Sequence, residues 1–297
     1  MTTMSDLFTP IPFARSATDF DGFARALDRS FRETGFAVIE GHPVDPAIIA
    51  RAEDAARAFF ALPEPVKARY DDRANGGQRG HTAFGAENAK GAAQADLKEF
   101  WHTGRAAPEG SALAAIMRPT PSVSEIPGFD AATSALFDAL DAFGAQLLQA
   151  VAHSLGLPRD WFAPRVAQGN SILRLLHYPA QLTPPPPGSV RAGAHEDINV
   201  ITLLLGAEEA GLQALHRSGV WLDINPPPGS LVVNVGDMLA RLTNHTLPST
   251  THRVLNPTPE RSRFARYSMP FFLHFAPDVL IETLPQCVTP DHPSRHP

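Results

Sequence analysis

Cysteine is almost absent: Cys287 is the only one among 297 residues. No intrachain disulfide can form, and a reducing cytoplasm is the default expectation. No apolar run is long enough to span a membrane. The first twenty residues hold acids and prolines rather than a basic segment followed by an apolar one, so no secretory signal is expected. An excess of positive charge is missing as well. Lys and Arg number 25 against 31 Asp and Glu, a net charge of −6. That balance argues against a nucleic-acid partner and for a soluble monomer or small homo-oligomer.

What is present describes an ordinary globular chain, 43% hydrophobic and 19% charged, with apolar mass for a sizeable core. Proline is abundant, at 29 residues, and punctuates many short elements. Phe20, Phe23, Ala24, Leu27 and Phe31 repeat at helical spacing, and Gly35 stands where a helix ends. Phe36–Ile39 reads as a strand. Asp45 and Pro46 open a second helix as N-cap and first residue, with Ile48, Ile49, Ala52, Ala56 and Phe59 on its buried face. Residues 71–128 show no firm period and read as loops, with Lys98–His102 as their ordered piece. A long helix follows from Asp130 to Gly156, carried by Leu136, Leu140, Phe143, Leu147 and Val151.

Beyond Asn170 the pattern changes to short apolar runs: 171–178, 198–205, 212–216, 220–224, 231–235, 250–255 and 265–275. Turn chemistry such as Thr183-Pro-Pro-Pro-Pro-Gly188 separates them, the prolines reading as a stiff spacer. Regularly spaced strands suggest a jelly-roll or barrel. The expected organisation is a helical region over residues 1–168, a β domain over 169–280 and a polar tail over 281–297, packed as one unit without a linker.

The stretch that organises the chemistry is Gly193-Ala-His-Glu-Asp197. On an extended strand, His195 and Asp197 share a face and can share an ion. His252, in Ser-Thr-Thr-His-Arg-Val254, offers a third ligand. Two His and one carboxylate with open positions suit non-haem Fe(II). The tripeptide by itself is weak, because 12 His and 31 acids give about one His-x-acid by chance. The competing reading is a surface His–Asp pair. His216 and His245 read as turn residues and His274 as a packed one. His42, His81, His102 and His153 lie in the helical half, and His292 and His296 in the tail. A structural zinc site would want thiolates that one cysteine cannot supply. Arg266 and Ser268 share a strand face, where a guanidinium fork and a hydroxyl suit a distal carboxylate; alone, an ordinary surface arginine is the simpler account.

Taken together, the motifs resemble the isopenicillin N synthase-like family of Fe(II)- and 2-oxoglutarate-dependent oxygenases. Gly35-Phe-Ala-Val-Ile-Glu-Gly-His-Pro-Val44 and Phe59-Phe-Ala-Leu-Pro-Glu-Pro-Val-Lys67 resemble its N-terminal region. Leu173-Arg-Leu-Leu-His-Tyr-Pro179, Ala194-His-Glu-Asp197, Asn234-Val-Gly-Asp237, Thr251-His-Arg-Val254 and Arg266-Tyr-Ser268 resemble its barrel motifs. The resemblance implies a double-stranded β-helix (jelly-roll) with an N-terminal helical region packed on it. It implies Fe(II) on His195, Asp197 and His252, with 2-oxoglutarate held by Arg266 and Ser268 and assisted by Tyr178. It further implies a dioxygenase that couples release of succinate and CO2 to hydroxylation, desaturation or cyclisation of a small molecule. Two positions depart from the pattern: Leu176-His-Tyr-Pro for the frequent Asn-Tyr-Tyr-Pro, and Thr243-Asn-His245 for Thr-Asn-Gly. Alternatives within the fold are an iron oxidase that uses no 2-oxoglutarate and an ethylene- and succinate-forming enzyme. An alternative of another class is a β-helix binding protein without catalysis.

Alternation adds residues near the site. Arg174 shares the face of Tyr178, and an inward arginine needs an anionic partner. That partner is either an anionic group of the substrate or an internal carboxylate. His177 falls on the opposite face and is expected outside the pocket. Phe84, Phe100 and Trp101 are expected to line its mouth, and Glu196 to point away from the ion.

Overall fold

The structure, a computed structural model, describes residues 7–87, 95–181, 183, 189–206 and 211–296. Pro184–Pro187 of the proline run lie outside these residues. Among the described residues, twelve strands form two sheets. In chain order they are β1 (Ile11–Pro12), β2 (Phe36–Glu40), β3 (Gly80–Thr82), β4 (Glu99–Gly104), β5 (Ile172–Tyr178) and β6 (Ala192–His195). The remainder are β7 (Ile201–Leu205), β8 (Leu212–Leu215), β9 (Trp221–Asp223), β10 (Leu231–Val235), β11 (His252–Val254) and β12 (Arg266–Leu273). The larger sheet runs β1-β2-β10-β7-β12-β5-β4-β3 and the smaller β6-β11-β8-β9. The chain has the double-stranded β-helix expected of it.

Three long helices cover the larger sheet. The first, α1 (Phe20–Thr34), starts at Asp19, whose carboxylate accepts from the Gly22 N–H at 2.9 Å. It stops at Gly35, where φ is +74°. A side chain at Gly35 would lie 2.6 Å from the Pro248 carbonyl and 2.3 Å from Thr250 Oγ1, so only glycine lets the helix end against the segment leading to His252. Asp45 caps α2 (Pro46–Phe60) through the Ala47 N–H at 2.8 Å. The longest, α3 (Phe129–Ser154), buries Leu136, Leu140, Phe143, Leu147 and Val151 as its periodicity predicts. A Cβ on its Gly144 would stand 2.5 Å from Leu273, which measures how closely the helix lies on the sheet.

The sheet has two different faces because side chains alternate along each strand. Leu173 and Leu175, Ile201 and Leu203, Leu231 and Val233, and Phe271 and Leu273 join the helices in the main core. Their neighbours Val38 and Val232 turn to the other side and pack with Ala192, Leu212, Ala214, Ile224 and Val254 of the smaller sheet. Both faces are therefore apolar over much of their area, which explains the near-continuous hydrophobic runs in the sequence. The inner face also carries the polar residues described below.

Two expectations need correction. Besides the strand expected at Phe36–Ile39, now β2, the N-terminal region supplies β1, β3 and β4, and these strands extend the larger sheet at both edges. The strand expected from Ile198 begins at Ile201, and β6 ends at His195. His195 and Asp197 therefore do not share a strand. Asp197 sits in the link that carries the chain from the smaller sheet to the larger one.

Candidate active site

His195 and His252 are direct cross-strand partners in β6 and β11. Their ring centroids are 4.4 Å apart. Each ring is fixed by its own backbone: Nδ1 of His195 donates to the Gly193 carbonyl at 2.7 Å, and Nδ1 of His252 to the Thr250 carbonyl at 3.1 Å. A carbonyl can only accept, so each Nδ1 carries a hydrogen, and Nε2 is the nitrogen turned towards the cleft that can serve as a ligand. Those Nε2 atoms lie 3.7 and 3.8 Å from the same oxygen, Oδ1 of Asp197. Among the described residues this is the one group of three His, Cys or carboxylate ligands whose donor atoms converge, all within 4.8 Å of one another. Burial and the neighbouring His252 hold the His195 pKa below its ordinary value, which favours the neutral, ligating imidazole.

Asp197 is held from behind. Its Oδ2 accepts from Thr202 Oγ1 at 2.5 Å and from Asn234 Nδ2 at 2.8 Å. Asn199 Nδ2 in turn donates to Thr202 Oγ1 at 2.8 Å, so the hydroxyl spends its own proton on the carboxylate. Burial alone would raise the Asp197 pKa. His252 and His195, with the Thr202 and Asn234 bonds, hold it below the usual carboxylate value instead. One oxygen is thus committed to the protein and the other faces the two imidazoles. The link itself is clamped by a short helix, α4 (Asp237–Leu242), whose Asp237 N–H donates to the Asp197 carbonyl at 2.7 Å. Ahead of it Gly236 leaves no room for a side chain: a Cβ would lie 2.2 Å from the Asn199 carbonyl. Glu196 turns outward, as expected, and accepts from Thr251 Oγ1 at 2.7 Å.

The three groups open into a cleft between the sheets, lined from both of them. Arg266, Ser268, Tyr178 and Arg174 line the same cleft, all from inward positions of β12 and β5. Arg266 is 2% exposed, pairs directly with Tyr178 of the neighbouring β5, and places its guanidinium carbon 5.4 Å from that ring. Its Nη2 donates to the Gly206 carbonyl at 3.3 Å. A guanidinium fork buried along the cleft wall gives a carboxylate a charged, two-pronged seat, and Ser268 adds a hydroxyl two residues on.

The other expectations divide. His177 faces away from the cleft, stacked on Tyr267 at 4.9 Å and bonded to Glu99 at 2.8 Å. Arg174 has an internal carboxylate, Glu87, within 3.4 Å, and it also lines the cleft, so both partners weighed for it are present or accessible. Trp101 does not line the mouth: it is fully buried in the main core against Phe59, Tyr70 and Phe129. Strand parity explains this, because Trp101 pairs with the outward Leu175. Phe84 is 48% exposed and not among the lining residues. Phe100 is buried beside Leu176 and Tyr178 on the inward face but is not itself among the lining residues. Sequence reasoning missed Thr202, Asn199, Asn234 and Lys98. Asn234 did carry a signal, as a lone amide in the apolar run Leu-Val-Val-Asn-Val.

Comparison with known proteins agrees with this architecture. Residues 169–275 match the 2OG-Fe(II) oxygenase superfamily, and residues 9–123 match the family described as the N-terminal region of non-haem dioxygenases in morphine synthesis. The chain is 32% identical over 291 residues to the 2-oxoglutarate-Fe(II) type oxidoreductase hxnY of Emericella nidulans, covering 93% of this chain and 82% of that protein. A putative 2OG-Fe(II) oxygenase family protein from Caulobacter crescentus superposes with a TM-score of 0.91 at 53% identity, over 98% of this chain and 93% of that one. A full-length Neurospora crassa protein solved in complex with alpha-KG gives a TM-score of 0.84 at 29% identity, over 96% and 91% of the two chains. The chain belongs to the 2OG-Fe(II) oxygenase superfamily. It is a 2-oxoglutarate-dependent non-haem iron dioxygenase, with Fe(II) as cofactor and 2-oxoglutarate as co-substrate. Among the described residues no helix is long and apolar enough to cross a membrane.

Proposed function

We propose that the enzyme hydroxylates a small organic molecule at a C–H bond, with His195, Asp197 and His252 as the iron ligands and Arg266, Ser268 and Tyr178 at the far carboxylate of 2-oxoglutarate. The observation that carries this reading is the sharing of one cleft by both sets of residues. The donor set fits the metal: two imidazoles and a carboxylate suit Fe(II), and each is oriented by a hydrogen bond on its far side. When bound, Fe(II) and 2-oxoglutarate supply the oxidising chemistry with dioxygen, releasing succinate and CO2. The protein's part is placement. Arg266 and Ser268 would hold the far carboxylate of the co-substrate, and His195, Asp197 and His252 would hold the metal at the other end of the cleft lining. The apolar lining of Phe36, Leu176, Leu204, Leu212, Val254 and Phe272 excludes water and keeps the substrate carbon close.

The test is anaerobic addition of Fe(II) and 2-oxoglutarate, which should give a weak visible charge-transfer band, followed by succinate measurement after air is admitted. Arg266→Gln should raise the 2-oxoglutarate concentration needed for the band by about 100-fold, equivalent to a lost charge-assisted pair. A band that forms equally well in that variant removes Arg266 from the assignment. Absence of both band and succinate in the unmodified protein removes the reading as a whole.

A further inference from the structure

Resting on that reading, two charged groups in the cleft are left without a task. The triad is taken by the metal and Arg266 by the co-substrate, which leaves Lys98 and Arg174 among the lining residues. The β5–β12 register sets Arg174 across from Pro270, one inward row from Phe272, which pairs with Thr202 of β7. Inward rows are about 7 Å apart along a strand and neighbouring strands about 4.8 Å apart, so the Arg174 backbone stands one row along and two strands across, about 12 Å, from that of Thr202, on the same inward face.

Arg174 is braced on one side and open on the other. Its Nε donates to Nε2 of His102 at 2.7 Å, and its guanidinium carbon lies 4.1 Å from the Phe100 ring and 5.3 Å from that of Phe272. His102 can accept because its Nδ1 donates to the Gly77 carbonyl at 2.9 Å. Burial, with Arg174 beside it, holds the His102 pKa well below the ordinary value, so this imidazole stays neutral. The two terminal nitrogens of Arg174 reach Glu87 only at 3.4 and 3.5 Å, the long limit of a hydrogen bond. Lys98 holds the same carboxylate at 2.8 Å and Asp96 at 2.8 Å. Both cations line the cleft, whereas Glu87 and Asp96 are not among its lining residues.

We propose that Lys98 and Arg174 form the anion-binding end of the substrate subsite, receiving a carboxylate or phosphate of the primary substrate, and that Glu87 is the counter-ion this anion displaces. Two cations and two carboxylates already balance, so an added anion needs one carboxylate to withdraw. Glu87 is the one able to do so: its side chain is 38% exposed and only loosely bonded to Arg174, while that of Asp96 is 6% exposed and also accepts from the Gly193 N–H at 3.0 Å. A planar oxyanion seated at ordinary distance gives Arg174 shorter, stronger bonds than Glu87 does.

The test uses protein loaded with Zn(II), a redox-silent stand-in, and 2-oxoglutarate. Phenylacetate, phenyl phosphate and phenylacetamide are titrated in and followed by ligand-observed NMR. At least one anion should bind about tenfold or more tighter than the amide, and whichever does so identifies the head group. Arg174→Gln and Lys98→Met should each cost about tenfold in anion affinity while leaving 2-oxoglutarate affinity within about twofold. Glu87→Gln should tighten the anion several-fold, and this partly exposed position decides the matter even where a buried variant fails to fold. Equal binding of amide and anions, no binding of either anion, or weaker anion binding in Glu87→Gln overturns the proposal. Failure of 2-oxoglutarate itself to bind instead removes the underlying assignment of the site, and this inference with it.

Discussion

Thr202 and Asn234 face each other across β7 and β10, and both donate to the same oxygen of Asp197, at 2.5 and 2.8 Å. The pair turns a carboxylate with two equivalent oxygens into one with a single free oxygen, directed at His195 and His252. Thr202→Val keeps the shape of the side chain and removes the donor. Outer hydrogen bonds of this kind are worth about 10- to 100-fold in metal affinity. Thr202→Val and Asn234→Leu should each weaken Fe(II) binding by that range, measured by anaerobic titration, and the double variant should lose more than either. Unchanged affinity in both singles would mean that the triad orients itself without them.

Much of the site is legible in the sequence because parity along a strand leaves only two choices. Once Arg266 and Ser268 are placed inward, every second residue of β12 follows, and Tyr178 and Arg174 on β5 obey the same rule. The parity that places His177 outside also places Trp101 outside, since the two lie on strands whose register is not written in either segment alone. Register between distant strands is a property of the assembled sheet, and this is why Trp101 is misplaced when its own segment is read in isolation. Asp197 shows a second limit. Its closeness to His195 is expected from the pleat of one strand, yet it arises from a link clamped by α4. The spacing of two residues is informative for a reason other than the one that suggests it. Thr202 and Lys98 are invisible because a buried threonine and a paired lysine have no pattern of their own.

Asp197 and Glu196 are adjacent carboxylates with opposite fates, the first buried and the second exposed on Thr251. Asp197→Ala removes a ligand and should abolish Fe(II)-dependent succinate release. Glu196→Ala removes a surface hydrogen bond and should keep most of the activity, with a stability change within about 0.5 kcal/mol. The reverse pattern would reassign the metal's carboxylate.

Gly236 supports the site through space rather than chemistry. The Asn199 carbonyl and Oδ1 would lie 2.2 and 2.1 Å from an added Cβ, and the carbonyl belongs to the link that carries Asp197. Gly236→Ala must therefore push that link away from α4. A loss of about 1–3 kcal/mol in stability is expected from overpacking, accompanied by weaker metal binding. Thermal unfolding with and without Fe(II) separates the two effects: the stabilisation conferred by metal should shrink as well as the baseline. A variant that loses baseline stability while keeping the full metal-dependent gain would show that the clamp does not position Asp197.

Behind the sheet, Glu99 collects three partners in the core: Lys67 at 2.7 Å, His81 at 2.9 Å and His177 at 2.8 Å. His177 lies on β5 between Leu176 and Tyr178, so the cluster braces the back of the strand that lines the cleft. Burial by itself would raise the Glu99 pKa; the hydrogen bonds from His177, His81 and Lys67, with the Lys67 charge, outweigh it and hold the group far below its ordinary value of 4.5. A carboxylate whose pKa is lower folded than unfolded stabilises the fold above the unfolded value and ceases to as pH falls through the folded one. Melting temperature should accordingly decline as pH drops below about 4.5, in the range where the unfolded chain takes up the proton first. Glu99→Gln removes that dependence and leaves Lys67, 2% exposed, with Glu64 as its remaining carboxylate. Breaking a buried pair from one side costs about 3–5 kcal/mol, so the variant should melt well below the unmodified protein at pH 7, and the gap should narrow towards pH 3. A gap of constant size across that range would show that Glu99 contributes through packing rather than through its charge.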